Sequence, residues 1–299
     1  MNNFLLKSYL RCKRKAWLEF KGEKSYKSWS AHTSINLITE FNNFKTYTKG
    51  KLFNGEVACE RGYESVIGMK IKSKINNNLE IEIKPSLIVK TEGNSIWGKY
   101  KYIPAVSKLG RRTTKEHILD LAICSIVLEK FQNSKIEHGL IISSYKNQFK
   151  TEKVSINKKL RNQAIKIFLE LNDSLNNQIP EITENRNKCT ICSWQKFCDK
   201  EAKSNGLLTD IDGVGQKTAL NLKKIGILNV KQLASYKESE LDSKLSLYQD
   251  KSLYKISKLI NQSKSYVSGS PIKTSNQDNL SHLFSKIKNG LFVFDIESN

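Results

Sequence analysis

The sequence contains no long apolar run, almost no proline and few acidic residues, and these shortages exclude several classes of protein. The longest apolar stretch, Leu121 to Leu128, is interrupted by Ser125 and is far shorter than the ~18 residues of a membrane span. Four prolines and 15 glycines in 299 residues exclude a collagen-like repeat. The first basic residues follow a very short apolar patch, which is the reverse of a secretory signal. We therefore expect a cytoplasmic protein that is not a membrane protein.

Acidic residues are scarce relative to basic ones. The chain has 29 Asp and Glu against 50 Lys and Arg, so its formal net charge is +21. Such an excess favours a polyanionic partner, most commonly nucleic acid, whose phosphates bind more weakly as salt rises. The first 30 residues alone carry an excess of +6. The alternative is a compositional bias that leaves only a solvated surface, because just seven of the basic residues are Arg.

The hydrophobic pattern of the first 200 residues predicts an α/β domain. Apolar residues recur at helical spacing over 4–20, 114–131 and 156–176, whereas they alternate with polar residues over 66–102. The alternating stretch predicts an antiparallel meander, and the helices are expected to lie beside it. The predicted architecture is thus a mostly antiparallel or mixed sheet flanked by helices.

The chain is longer than a single hydrophobic core usually accommodates, so we expect more than one domain. Residues 1–200 form the α/β domain, and a cysteine-rich segment closes it. Residues 205–264 have an all-helical pattern. Residues 265–289 are rich in Ser, Asn and Lys and are predicted to be a linker. The apolar residues 290–299 are typical of the start of a strand.

Three of the six cysteines form a compact C-x2-C-x5-C cluster, Cys189, Cys192 and Cys198. Disulfides are not expected in a cytoplasmic chain, and this spacing is typical of a metal or cluster site. Three thiolates are one short of a closed site. Cys12 is our candidate for the fourth ligand, because the basic residues around it would offset negative charge. The spacing alone does not separate zinc from iron–sulfur, nor exclude a purely structural zinc staple.

The stretch from Leu6 to Cys12 (LKSYLRC), followed much later by C-x2-C-x5-C, resembles the RecB-like nucleases that carry an iron–sulfur cluster. That family includes the CRISPR-associated RecB-like exonucleases. It also includes chains that continue into a helix-hairpin-helix and an RNase H-like exonuclease domain. The resemblance implies a restriction-endonuclease-like core of the PD-(D/E)xK superfamily. It also implies a [4Fe–4S] cluster held by Cys12 and the three later cysteines.

The nuclease centre departs from the family pattern. Ser86 stands where the family has a metal-binding Asp, and Val106 stands where it has the next acid. Lys108 remains at the position of the family's lysine. Because valine cannot bind Mg²⁺, we expect a catalytically degenerate nuclease that keeps its DNA affinity. The alternative is an active, Mg²⁺- or Mn²⁺-dependent DNA exonuclease of repair or processing. In that case Lys108 orients the attacking water and neighbouring acids replace the missing ligands.

Residues 207–222 resemble a helix-hairpin-helix, a module that binds the DNA backbone. Gly213 and Gly215 permit a tight turn, after which backbone N–H groups at the start of a helix can bind a phosphate. Lys217 and Thr218 are candidates for further contacts to that phosphate. The alternative is a glycine turn within an interaction module that binds no nucleic acid.

The end of the sequence resembles the first motif of RNase H-like exonucleases. Asp295 and Glu297 are two apart, so a strand would place both carboxylates on one side to hold metal ions. The family's further acidic ligands are absent from this sequence. We therefore interpret residues 290–299 as a truncated start of that domain. The expected partners are DNA and a separate polypeptide that carries the remaining exonuclease domain.

Overall fold

A computed structural model describes residues 1–76, 79–110, 112–145, 148–246 and 256–272 of the chain. The chain divides into two compact units, the first being Met1–Glu201 and the second beginning at Ala202. The helices are α1 (Asn3–Arg11), α2 (Lys13–Lys21), α3 (Ala31–Tyr47), α4 (Glu56–Glu60), α5 (Lys115–Gln132), α6 (Lys158–Asn176), α7 (Gln195–Asn205), α8 (Gln216–Lys224), α9 (Val230–Ser235), α10 (Glu238–Ser246) and α11 (Ile256–Ser268). The strands are β1 (Phe53–Asn54), β2 (Ser65–Ile67), β3 (Ile71–Asn76), β4 (Leu79–Ile83), β5 (Leu87–Ser95), β6 (Gly98–Lys108), β7 (His138–Tyr145) and β8 (Gln148–Ser155).

The first unit is built on a mixed six-stranded sheet in the order β1-β2-β5-β6-β7-β8. β5 and β6 are antiparallel, β7 runs parallel to β6, and β8 returns antiparallel to β7. The parallel step from β6 to β7 is made through α5, as a crossover between parallel strands requires. The expected α/β class, with a mixed sheet flanked by helices, is confirmed.

Helix α5 lies at the centre of this unit. Ten consecutive residues, 119–128, are buried, and most of them are apolar. Thr114 caps its first turn together with His117, and Asn133 ends it in the left-handed conformation with φ 50°. Together with α1 and α6 it encloses the main hydrophobic core against the sheet. The predicted helix over 114–131 is therefore present almost residue for residue.

The single helix predicted over 4–20 is wrong in one respect, because the chain forms two helices that meet at Cys12. Cys12 is extended, with φ −160° and ψ 121°, and it both ends α1 and precedes α2. Its N–H still bonds the Ser8 carbonyl at 2.9 Å. Periodicity continues across the break, since Ala16 and Leu18 of α2 are buried like Leu6 of α1. Because the apolar periodicity continues through Cys12, the sequence does not indicate that the helix breaks there.

The predicted meander over 66–102 also differs from the structure. β3 and β4 form a separate two-stranded sheet, so β2 pairs directly with β5. The Glu92-Gly93-Asn94 segment, which has the composition of a turn, is an irregularity inside β5, whose ladder to β6 shifts register between Glu92 and Ser95. The chain reverses only after Ser95, which pairs with Gly98. β8 was not predicted, because its exposed residues show no apolar alternation.

The second unit is helical in its described residues. Helices α8 to α11 surround a compact apolar core that includes Ile211, Leu222, Leu233 and Ile260. α11 continues to Ser268, past the predicted start of the linker at residue 265, because Tyr266 packs on this core. Within the described residues, no helix combines the length and apolarity required to cross a membrane.

Candidate functional site

The four candidate cysteine ligands line one cavity in the first unit. Cys12 comes from the break between α1 and α2, whereas Cys198 lies on α7. Cys189 and Cys192 belong to the turns just before α7, where the Cys192 N–H bonds the Cys189 carbonyl at 2.9 Å. All four side chains are partly exposed. The other residues that line the cavity are Arg11, Arg14, Lys15, Ile182, Thr183, Arg186, Lys188, Ile191, Trp194 and Gln195.

The cysteine-rich segment packs on the C-terminal end of α2. Trp194 is almost fully buried, and its indole N–H donates to the Glu19 carboxylate at 3.1 Å. The Ser28 backbone N–H bonds the Ser193 carbonyl at 2.8 Å. Gly22 is needed for this approach, since a Cβ there would lie 2.9 Å from the Trp194 ring and 2.5 Å from the Leu18 carbonyl oxygen. These contacts hold the cysteine-rich segment against α2.

Burial disfavours the charged form of the thiols in the cavity. It raises the pKa of Cys189 to about 11, an effect that the Arg186 guanidinium opposes and the other three cysteines reinforce. Burial likewise raises the pKa of Cys198, and Arg14 opposes the shift. A ligand that needs thiolates must therefore displace protons here, so its binding depends on pH.

Two arginines supply positive charge at the wall of the cavity. Arg14 is buried, pairs with Glu201 and donates to the Pro180 carbonyl at 2.7 Å. Arg186 pairs with Asp199. Even so, Nε of Arg14 and Nη1 of Arg186 are buried without a hydrogen-bond partner among the described residues. Two unsatisfied N–H donors beside four thiols fit an anionic group rich in acceptors.

The structure does not close these cysteines around a single ion. Among the described residues, no group of three or more His, Cys, Asp and Glu side chains could hold a metal ion as the side chains stand. To bind one zinc ion tetrahedrally, with bonds of about 2.3 Å, the four sulfurs would have to lie about 3.8 Å from one another.

Lys108 lies at the end of β6 and is nearly buried. Its ammonium donates to the Thr113 hydroxyl at 3.0 Å and lies 3.5 Å from a carboxylate oxygen of Glu152. The Thr113 hydroxyl in turn donates to Glu152 at 3.1 Å. Glu152 belongs to β8, the strand that the sequence did not reveal. Val106, two residues before Lys108, packs in an apolar cluster with Ile141 of β7.

Three further acids, Glu82, Glu116 and Asp120, have partners elsewhere. Glu116 pairs with Arg11 at 3.1 Å, and Glu82 pairs with Lys84 at 3.0 Å. Asp120 is buried inside α5. Sequence reasoning also missed its partners on α1. The Asp120 carboxylate accepts from the Asn3 amide at 2.8 Å and lies 2.8 Å from the Lys7 ammonium.

The remaining two cysteines lie apart from the cavity. Cys124 is buried one turn after Asp120, and its Sγ lies 3.8 Å from that carboxylate. Cys59 is buried on α4, with its Sγ 3.9 Å from the Met69 sulfur. Neither lines the cysteine cavity.

The glycine turn of the second unit precedes α8. Gly213 has φ 79°, a conformation that favours glycine, and Gly215 occupies the position before the first residue of α8. No side chain caps this helix end, and a Cβ at either glycine would meet nothing within 4 Å. Lys217 is exposed and Thr218 is half-buried on the first turn. Asp295 and Glu297 lie outside the described residues.

No protein-family model matches the chain, and no curated protein matches it. Among solved structures, the chain is similar to the crystal structure of SSO0001, at 11% identity over 67% of this chain and 85% of the other, with a TM-score of 0.41. A likeness this distant carries no argument about function.

Proposed function

We propose that this chain is a DNA-binding protein of the RecB-like nuclease family, that it carries a [4Fe–4S] cluster and that its nuclease centre is degenerate. The observation that supports the proposal most strongly is the cavity lined by Cys12 and the three later cysteines. The cavity brings Cys12 together with cysteines that lie more than 170 positions later in the sequence, so the local spacing of the C-x2-C-x5-C cluster does not account for it.

The lining of the cavity fits an iron–sulfur cluster. Four thiolates and bridging sulfides carry net negative charge and many weak acceptor sites. Arg14 and Arg186 are each ion-paired, and each keeps an unsatisfied N–H donor at the cavity. Cys12, Cys189, Cys192 and Cys198 are the residues that would hold the cluster. When bound, it would close the long chain segment between residues 12 and 189 and stabilise the first unit.

The surroundings of Lys108 favour a centre that no longer cuts DNA. Its ammonium is occupied by Thr113 and Glu152, and the position two residues earlier is an apolar Val106. Hydrolysis assisted by Mg²⁺ or Mn²⁺ requires carboxylates that converge on the ion. Glu152 is the acid nearest to the lysine, and it forms an ion pair instead.

The glycine turn before α8 supports DNA binding. The first N–H groups of a helix lack partners within the helix, and the helix dipole makes this end attractive to phosphate. Here the turn is open and uncapped, with Lys217 beside it. Such contacts hold the DNA backbone and do not read bases.

Three measurements test the proposal. Purified protein should be brown and contain acid-labile sulfide, whereas stoichiometric zinc would indicate the zinc-stapled interaction module instead. A labelled DNA duplex should bind with an affinity that falls steeply with salt, and a Gly213→Val/Gly215→Val variant should bind it more weakly. No cleavage should occur with Mg²⁺ or Mn²⁺. Cleavage that is lost in Lys108→Ala would show that the centre is active.

A further inference from the structure

One side of helix α3 is fixed to the sheet of the first unit. The helix packs on β6 and β7. On that side Phe44 is buried in the main hydrophobic core, and the buried Asn43 amide donates to the Ser107 hydroxyl of β6 at 2.8 Å. A helix at the surface of a folded protein usually presents polar residues on the side that faces away from the core.

The side of α3 that faces away from the sheet is instead apolar. Ile35, Leu37, Ile38 and Phe41 are between 51% and 61% exposed. With 3.6 residues per turn, these four side chains lie within an arc of about 160° of the helix surface. Trp29, two residues before the helix, is 79% exposed. At roughly 200 Å² for a fully exposed side chain of this size, the five residues present about 600 Å² of apolar surface to solvent.

Charged residues are scarce in this segment. They make up 26% of the chain, yet residues 28–39 contain no Asp, Glu, Lys or Arg, and α3 carries only Glu40 and Lys45 among its 17 residues. The centre of a protein–protein interface shows the same depletion of charge, together with an enrichment in aromatic side chains. The exposed side of α3 therefore has the composition of an interface.

A second copy of the same chain fits this surface. If two α3 helices pack antiparallel about a two-fold axis at Ile38, Ile35 of each chain meets Phe41 of the partner subunit, because these residues lie three positions on either side of the axis. Ser34 and Asn42, four positions on either side, meet in the same way and can hydrogen-bond. A stable dimer buries about 800 Å² of each chain, and the five exposed apolar side chains supply most of that area.

We propose that the exposed side of α3 is the interface of a homodimer whose two-fold axis passes at Ile38. Because residues 28–39 carry no charged side chain, two chains of net charge +21 can meet there without bringing like charges into contact. This surface is separate from the cysteine cavity and from the glycine turn, so the proposal does not depend on the function proposed above.

The test measures the mass of the full chain, freed of nucleic acid, by size-exclusion chromatography with multi-angle light scattering over a dilution series. The wild type should give twice the 34.2 kDa of one chain at high concentration. Since the net charges of the two chains repel, added salt should strengthen the dimer, whereas it weakens DNA binding. A mass of one chain at every concentration and salt level would overturn the proposal.

Charge substitutions at the axis test the pairing itself. Ile38→Glu and Ile38→Lys each bring like charges together, so either variant alone should be monomeric where the wild type is a dimer. An equimolar mixture of the two should form dimers again, because opposite charges then meet. Ile96→Glu is the matched control and should remain dimeric, since Ile96 is 55% exposed in the turn between β5 and β6.

Two results with these variants would contradict the proposed dimer. One is a dimer that persists in both Ile38 variants, and the other is a mixture of the two that stays monomeric. Circular dichroism verifies that both variants are folded. The mass of the wild type and its dependence on salt provide a reading that does not rely on any variant.

Discussion

Replacement of Gly22 by alanine tests the packing that brings the cysteine-rich segment to α2. A Cβ at this position would lie 2.5 Å from the Leu18 carbonyl oxygen and 2.9 Å from the Trp194 ring. The first neighbour is backbone and the second is almost fully buried, so neither can move aside easily. Overpacking of this kind costs about 1–3 kcal/mol, and with two close contacts we expect about 2 kcal/mol.

Urea unfolding followed by tryptophan fluorescence is the appropriate assay. All four tryptophans lie in the first unit, so their fluorescence reports that unit alone. With a denaturant slope of about 2 kcal/mol/M, a loss of 2 kcal/mol lowers the urea midpoint by about 1 M. Gly110→Ala is the matched control, because a Cβ at residue 110 would meet nothing within 4 Å. Equal midpoints for Gly22→Ala and the wild type would refute the proposed packing.

Two further predictions concern buried ionisable groups. Lys7→Met should destabilise the first unit by about 3 kcal/mol in the same urea assay, because it leaves the buried Asp120 carboxylate without its cation; a loss below 1 kcal/mol would contradict this. Burial raises the pKa of Cys59 from about 9 to about 12, so the folded state holds this proton after the unfolded chain has lost it. Stability should therefore fall as pH rises above about 9, by up to about 1.4 kcal/mol per pH unit from this thiol. Cys59→Ala should show a correspondingly shallower decline, and an unchanged slope would argue against the shift.

The long helices of the first unit could be predicted from the sequence because local signals agree with the packing. The Thr114 cap and the apolar run after it define α5 within about one residue. The predicted helix over 156–176 matches α6, whose start is fixed by the Asn157 side chain at the Leu160 N–H. In both cases the determinants are within a few residues of the element they determine.

The features that escaped prediction depend on distant residues. The buried position of Asp120 depends on Asn3 and Lys7 of α1, more than a hundred residues away. The break at Cys12 interrupts two helices whose apolar periodicity is continuous. β8 pairs with β7 through backbone hydrogen bonds, and its side chains leave no apolar pattern. Glu152, the partner of Lys108, was therefore missed as well. The cysteine ligands could be predicted from the sequence. The C-x2-C-x5-C cluster is local, and the basic residues around Cys12 indicated the fourth ligand.

Iron and acid-labile sulfide per chain, measured in the wild type and in Cys12→Ala, test the central claim most directly. The account predicts about four of each in the wild-type protein and in the control Cys59→Ala, whose thiol lies outside the cavity. It predicts loss of the cluster in Cys12→Ala. An undiminished iron and sulfide content in Cys12→Ala, or zinc in place of iron in the wild type, would contradict it.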